Sequence, residues 1–106
     1  MTIFEAIADP TRRRIVELVS RDELPAGDIA TQFNVTRPAI SRHLRVLREA
    51  GVLAARGDGQ RRLYRLEPQA LDELEQWIDQ TRAFWSGRLD SLGEHLERRA
   101  SDRRTR

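Results

Sequence analysis

The sequence contains no cysteine and no lysine, has only two histidines, and lacks any long hydrophobic run. Without cysteine, these 106 residues can form no disulfide, no thiolate metal site and no cysteine nucleophile. No apolar segment approaches the roughly 18 residues of a membrane span, and the N-terminus lacks the basic and apolar regions of a secretory signal. We therefore expect a cytoplasmic protein with no cofactor, folded as one compact domain.

All 19 basic side chains are arginines, and they are distributed unevenly along the chain. Residues 36–66 hold eight arginines against two acids, and residues 67–97 hold two arginines against eight acids. Residues 98–106 hold five arginines against one acid. The net charge of +2 therefore hides a basic middle of +6, an acidic stretch of −6 and a basic end of +4. Clustered arginine indicates a surface that binds a polyanion.

Helical spacing of apolar residues and helix-capping residues divide the first half of the chain into short helices. Pro10 and Pro38 can each occupy a first helical turn, where the missing N–H costs nothing, and Gly51 is a typical helix stop. Two of the helices are expected to be joined by a turn of three or four residues. The predicted helices cover about residues 2–8, 10–20, 28–33 and 37–50.

The pattern changes after Gly51. Residues 52–56 and 61–66 are strand candidates on either side of Gly57-Asp58-Gly59-Gln60, which favours a β-hairpin turn. Pro68 then begins a helix of about 30 residues, with apolar side chains every three or four positions. This order predicts a mainly α fold of about five helices with a small two-stranded β-hairpin, in which two short helices joined by a turn form a helix-turn-helix.

The predicted helix over residues 37–50 has two different faces. Ile40, Leu44 and Leu47 lie on one side and predict a buried stripe. Arginines occupy the other side, and their planar forks suit guanine edges and phosphates in the DNA major groove. The predicted DNA-contacting residues are Thr36, Arg37, Pro38, Ser41, Arg42 and Arg45 on this helix, and Arg61 and Arg62 on the hairpin.

Other interpretations remain open from the residues alone. The arginines could merely solvate an amphipathic helix, or could contact another protein rather than DNA. An enzyme is the least favoured interpretation, because no nucleophile–base spacing or phosphate loop is present. His43 lies beside the apolar face, which favours a packed, hydrogen-bonded histidine over a base reader. His95 is expected to be solvated.

Three segments carry a resemblance to a known family. They are residues 8–18 (ADPTRRRIVEL), 37–52 (RPAISRHLRVLREAGV) and 59–66 (GQRRLYRL), and together they resemble the ArsR family of winged helix-turn-helix repressors. The resemblance implies a cytoplasmic homodimer that binds an inverted-repeat operator in double-stranded DNA and represses transcription. It also implies that the first and last helices form the dimer interface.

Many relatives in that family sense metals, and this sequence departs from their patterns. The cysteine-bearing motif of the family corresponds to residues 23–29, which contain no cysteine, and the last helix offers only His95 where paired histidine and carboxylate ligands are needed. Trp77-Ile78 and Phe84-Trp85 resemble instead the branch that does not sense metals, for which an unknown inducer is expected. A metal-responsive repressor is kept as an alternative.

The last predicted helix has a long apolar stripe, more than a domain of this size can cover by itself. Pairing with a second chain would place two recognition helices about 34 Å apart, one turn of DNA. The predicted domain covers residues 1–97, and residues 98–106 are expected to be a disordered basic tail. The predicted dimer-interface residues are Ile3, Phe4, Ile7, Ile78, Trp85, Leu89, Leu92 and Leu96.

Overall fold

The computed structural model describes the backbone of residues 1–104 and the side chains of residues 1–99. Five helices and three strands follow one another within residues 1–104. Their bounds are α1 Ile3–Ala6, α2 Pro10–Arg21, β1 Leu24–Pro25, α3 Ala26–Ala30, α4 Arg37–Glu49, β2 Leu53–Asp58, β3 Arg61–Leu66 and α5 Pro68–Arg104. Within the described residues, no helix is both long and apolar enough to cross a lipid bilayer.

Side-chain caps fix where three of the helices begin, namely α1, α2 and α4. Thr2 and Glu5 form a reciprocal capping box at the start of α1. Asp9 accepts a hydrogen bond from the Arg12 N–H at 2.9 Å, and the Thr36 hydroxyl accepts one from the Ala39 N–H at 3.3 Å. Each cap satisfies a backbone donor that has no partner inside its helix.

A glycine fixes where α4 ends. Gly51 has a φ of +83°, and its N–H donates to the Arg48 carbonyl while the Val52 N–H donates to the Leu47 carbonyl. This pair of bonds is the Schellman motif, which needs a left-handed residue after the helix. The chain is thereby turned from α4 directly into the buried start of the hairpin.

The sheet is antiparallel, in the order β1-β3-β2. β2 and β3 form the predicted hairpin, which is the wing of this fold (residues 53–66), with Gly59 at a φ of +64° in its turn. β1 is a difference from the sequence prediction, which interpreted residues 24–27 as a break: Leu24 pairs with Tyr64 and Pro25 with Leu63. Two residues are too few to show the alternation by which strands are recognised.

The helices differ from prediction in two places. The helix α3 begins two residues earlier than expected and ends at Ala30, because the N–H groups of Gln32 and Phe33 bond three residues back and tighten the chain into turns. Six residues therefore separate α3 from α4, rather than three or four. The helix α5 continues to Arg104, where a disordered tail from residue 98 was expected, and residues 105–106 lie outside the described part of the chain.

Contacts divide the chain into two units, Met1–Leu74 and Glu75–Arg106. The first unit has a hydrophobic core whose fully buried side chains come from α2, α3, α4 and the segment after Gly51: Ile15, Ile29, Ile40, Leu44, Leu47 and Val52. Ala70 in the first turns of α5 is buried in the same core. The second unit consists of the rest of α5, and the predicted domain boundary at residue 97 stays a prediction.

Candidate nucleic-acid interface

The two faces of α4 are separated as the sequence predicts. Ile40, Leu44 and Leu47 are each at most 1% exposed and hold the helix against the core. The side chains predicted to contact DNA lie on the solvent side. The exposed residues of this face are Arg37, Pro38, Ser41, Arg42, Arg45 and Arg48, preceded by Thr36.

Three of the wing arginines are neutralised by carboxylates of the same chain. Arg61 lies 3.0 Å from Asp58, and Arg65 lies 3.6 Å from Glu67. Arg56 donates two hydrogen bonds of 2.9 Å to Glu23. These bonds lower the pKa of Glu23 and raise that of Arg56. Counting charges along the sequence does not reveal that Glu23 is the partner of Arg56, because the two residues lie 33 positions apart.

The remaining arginines of the basic stretch have no carboxylate partner among the described side chains. Among the residues whose side chains are described, no ion pair involves them. Unpaired guanidinium groups keep all five donors available for a ligand. This unpaired set consists of Arg37, Arg42, Arg45 and Arg48 on α4 and Arg62 on the wing.

The start of α4 and the wing tip line one cleft. Its volume is about 410 Å³, and its charged lining residues are Arg37 of α4, Arg61 and Arg62 of the wing, and Asp28 of α3. Gly27 forms part of the floor, where the Arg37 guanidinium lies 3.6 Å from the position that a Cβ would take. The start of α4 and the wing therefore present Arg37, Arg61 and Arg62 to the same space.

His43 is half-buried and bonded, which confirms the prediction of a packed histidine. Its Nδ1 lies 3.4 Å from an Arg12 guanidinium nitrogen. Because arginine can only donate, this contact is a hydrogen bond in the tautomer whose Nδ1 accepts. Arg12 also donates to the carbonyls of Ala6 and Glu5, and thereby joins the end of α1 to α4.

The predicted interface residues fall into two groups. In and next to α1, Ile3 is only 8% exposed and Ile7 packs against the core. Phe4, the third residue predicted there, is exposed. In the second unit, the large apolar side chains are roughly half exposed, between 43% and 61%. This second group contains Ile78, Trp85, Leu89, Leu92 and Leu96.

Potential metal ligands do not gather in the part of the chain that the structure describes, where no group of three or more histidine, aspartate or glutamate side chains could hold an ion. His95 is exposed, as expected for a solvated residue.

Comparison with known proteins identifies the family. A sequence profile described as "Bacterial regulatory protein, arsR family" matches residues 9–54. The transcriptional repressor SdpR of Bacillus subtilis is 41% identical over 72% of this chain and 84% of its own length. The regulator Rv2034 of Mycobacterium tuberculosis is 36% identical over 93% of this chain and 90% of its own length. The chain belongs to the ArsR family.

Solved structures of ArsR proteins share the fold. The crystal structure of a possible transcriptional regulator for arsenical resistance is 44% identical, with a TM-score of 0.71 over 77% of this chain and 85% of the other. A homodimeric winged helix-turn-helix DNA-binding domain from Mycobacterium bovis is 25% identical, with a TM-score of 0.63 over 76% and 75% of the two chains. The winged helix-turn-helix prediction is thereby confirmed.

Proposed function

We propose that this ArsR protein is a sequence-specific transcriptional repressor that binds an inverted-repeat operator as a homodimer. One observation carries the proposal: the five unpaired arginines of α4 and the wing are all exposed, and two of them, Arg37 and Arg62, line the same cleft. The exposed face of α4 enters the major groove with its N-terminal half, where Arg42 and Arg45 bond guanine edges. Ser41 and the Thr36 hydroxyl reach bases or phosphates beside them.

The wing contacts the DNA backbone next to the groove. The cleft between Arg37 and Arg62 is large enough for a backbone phosphate, and both guanidinium groups are free to bond it in a bidentate manner. Arg61 supplies a further contact when its Asp58 partner releases it. Phosphate contacts of this kind set orientation and affinity, whereas the α4 side chains supply sequence preference.

The dimer forms through the second unit of one chain against a second copy. The side chains of Ile78, Trp85, Leu89, Leu92 and Leu96 fall within an arc of about 60° around α5, and all are exposed in the single chain. A stripe of that size on a soluble helix marks an interface. Two-fold pairing presents the two copies of α4 to successive major grooves, about 34 Å apart.

The inducing signal is not a thiophilic metal. The relatives include proteins named for arsenical resistance, but this chain has no cysteine to supply a thiolate. We place the protein in the branch of the family that does not sense metals, and expect added arsenite or zinc to leave its DNA affinity unchanged. A metal-dependent loss of binding would contradict this assignment.

A mobility-shift or footprinting experiment on the region upstream of the gene tests the proposal. The wild type should prefer that fragment to random duplex of equal length. Arg42→Ala and Arg45→Ala should each weaken specific binding by about 1–3 kcal/mol, because each removes a base-edge contact. Arg14→Ala is the matched control, because it removes the same charge from an exposed pair with Glu17 on α2. Equal affinity of the wild type for both duplexes would contradict the proposal.

A further inference from the structure

The bidentate pair between Glu23 and Arg56 is the best-formed ion pair of the described side chains. Both of its bonds are 2.9 Å long, whereas the other pairs each have one oxygen within reach. Both partners are partly exposed, at 31% for the Glu23 side chain and 53% for Arg56. Two parallel bonds between planar groups fix orientation as well as distance.

The sheet register shows what this pair holds together. Arg56 in β2 lies opposite Leu63 in β3, and Leu63 lies opposite Pro25 in β1. The ion pair therefore spans the central strand β3 and joins β2 to the residue that precedes β1. Directly opposed residues point to the same face, so Arg56, Leu63 and Pro25 share the face opposite to that of Tyr64, which packs in the main core.

Beyond Arg56 the wing has little else to hold it. Every residue from 56 to 62 is exposed, and none belongs to the core. Gly57 and Gly59 lie in this segment and give the backbone additional freedom. Besides the backbone pairing of β3 with β1 and β2, the Glu23–Arg56 pair is the one ion pair among the described side chains that joins residues 56–62 to the body of the first unit.

We propose that Glu23 and Arg56 are positioning residues, which hold the wing in the orientation that lets Arg61 and Arg62 reach DNA. This inference rests on the proposed function. Arg56 acts through Glu23 and does not contact phosphate. Of the eight arginines of the basic stretch, Arg56 therefore orients the wing and does not bind DNA itself. Glu23 is an acid that favours DNA binding, although its charge by itself repels the phosphate backbone.

Fluorescence anisotropy measures how Glu23→Gln changes the affinity for an operator duplex. The sign of that change tests whether Glu23 positions the wing. If Glu23 positions the wing, Glu23→Gln should weaken binding about three- to tenfold, because the amide keeps the shape but loses the charge-assisted pair. If Glu23 only neutralises Arg56, the variant should bind as tightly as the wild type or more tightly, which would overturn the inference. Glu17→Gln, which makes the same charge change at the exposed Arg14 pair, should not weaken binding.

A double-variant cycle separates positioning from direct contact. Arg56→Ala should weaken binding about as much as Glu23→Gln, and the two changes together should cost no more than either one. A further loss on adding Arg56→Ala to the Glu23→Gln protein would show that Arg56 contacts DNA, which would overturn its assigned role. The charge-reversed pair Glu23→Arg with Arg56→Glu should recover part of the affinity.

Amide hydrogen exchange in the absence of DNA provides a readout that does not depend on the proposed function. Glu23→Gln should speed exchange in β2 and β3 while leaving α4 unchanged, because only the link to the wing is lost. Unchanged exchange in the hairpin would overturn the inference even if affinity falls. If the wild type fails to bind any operator, the proposed function fails, and the exchange result still decides whether the pair holds the wing.

Discussion

Arginines of the basic stretch have identical chemistry but different surroundings. Arg42, Arg45 and Arg62 have no described carboxylate partner, whereas Arg56, Arg61 and Arg65 each have one. A charge already compensated inside the protein contributes less to attraction of a polyanion than a free one. The net +6 of residues 36–66 therefore gives the correct sign for the surface but does not identify which arginines are available.

The salt dependence of DNA binding should distinguish Arg62 from Arg61. Arg62→Ala should reduce the slope of log affinity against log salt concentration by about one, because a phosphate contact releases about one counterion. Arg61→Ala should reduce it less, because Asp58 lies 3.0 Å from Arg61 in the free protein. Affinities measured at several salt concentrations check this, and a larger effect for Arg61→Ala would contradict it.

Asp9 provides a prediction about stability. Its pKa is lowered chiefly by the hydrogen bond from the Arg12 N–H, opposed by partial burial, with nearby Arg12 and His43 charges lowering it further. The folded state therefore disfavours protonation of Asp9, and ionised Asp9 stabilises the fold. This contribution is complete above the ordinary pKa of 3.8 and is lost as the pH falls through the lower pKa of the folded state.

Two substitutions test the role of Asp9 as a cap. Asp9→Ala should lower the free energy of unfolding by about 1 kcal/mol at neutral pH, and Asp9→Asn should lower it much less, because asparagine also caps helices. Urea unfolding at pH 7 and at pH 3 checks both, since the advantage of the wild type over Asp9→Ala should shrink in acid. An equal loss for Asn and Ala would show that the charge rather than the cap matters.

The order of elements explains how a short chain forms a DNA-reading surface. The helix α4 is held by three side chains that are almost completely buried, and its end is closed by the Schellman motif at Gly51. The motif fixes the angle at which the hairpin leaves the helix, since Val52 and Leu53 enter the core at once. The start of the hairpin is thereby positioned against α4 by a single turn of backbone.

Gly51→Ala should therefore destabilise the protein, by about 1–2 kcal/mol, because a Cβ strains a backbone at a φ of +83°. No atom lies within 4 Å of the added carbon, so the loss arises from conformation and not from a clash. Gly87→Ala is the control: Gly87 lies inside α5 with equally open surroundings, and alanine there should stabilise the helix. Denaturant unfolding of both variants measures the contrast.

The whole molecule is expected to be a pair of chains. The first unit buries its core residues, whereas the second unit leaves six large apolar side chains from Ile78 onward between 43% and 61% exposed. Arg88 lies 5.4 Å from the centre of the Phe84 ring and 6.0 Å from that of Trp85, which covers only part of this surface. Apolar area of this extent is stable in water when a second copy covers it.

Sedimentation at micromolar concentration should show a dimer, and Leu89→Asp should convert it to a monomer, because a carboxylate placed in an apolar interface loses its hydration. Gln80→Asp is the matched control: it introduces the same charge on the opposite side of α5, about 180° from Leu89, and should leave the dimer intact. Weak operator binding should accompany the loss of the dimer, because a single recognition helix reads only half of an inverted repeat. A wild-type monomer that binds a palindrome tightly would contradict this scheme.

The sequence by itself determined the order of most elements and the faces of α4. Local causes suffice for these features: helical spacing places Ile40, Leu44 and Leu47 on one side, and Asp9, Thr36 and Gly51 cap helices through bonds within a few residues. The packed state of His43 also followed from its position on the helix. Segments such as 37–52 resemble the family closely enough to predict the fold.

Only the tertiary structure decided which distant groups meet. The pairing of β1 with β3, the Glu23–Arg56 ion pair and the contact of Arg12 with His43 join residues more than 30 positions apart, and no periodicity encodes such distances. The same holds for Ile3: the sequence suggested it for a dimer interface, which stays a prediction, and its 8% exposure comes from packing within the single chain. An amphipathic pattern predicts that an apolar side chain will be buried. Which residues bury it, in the same chain or in a second copy, is determined by packing in three dimensions.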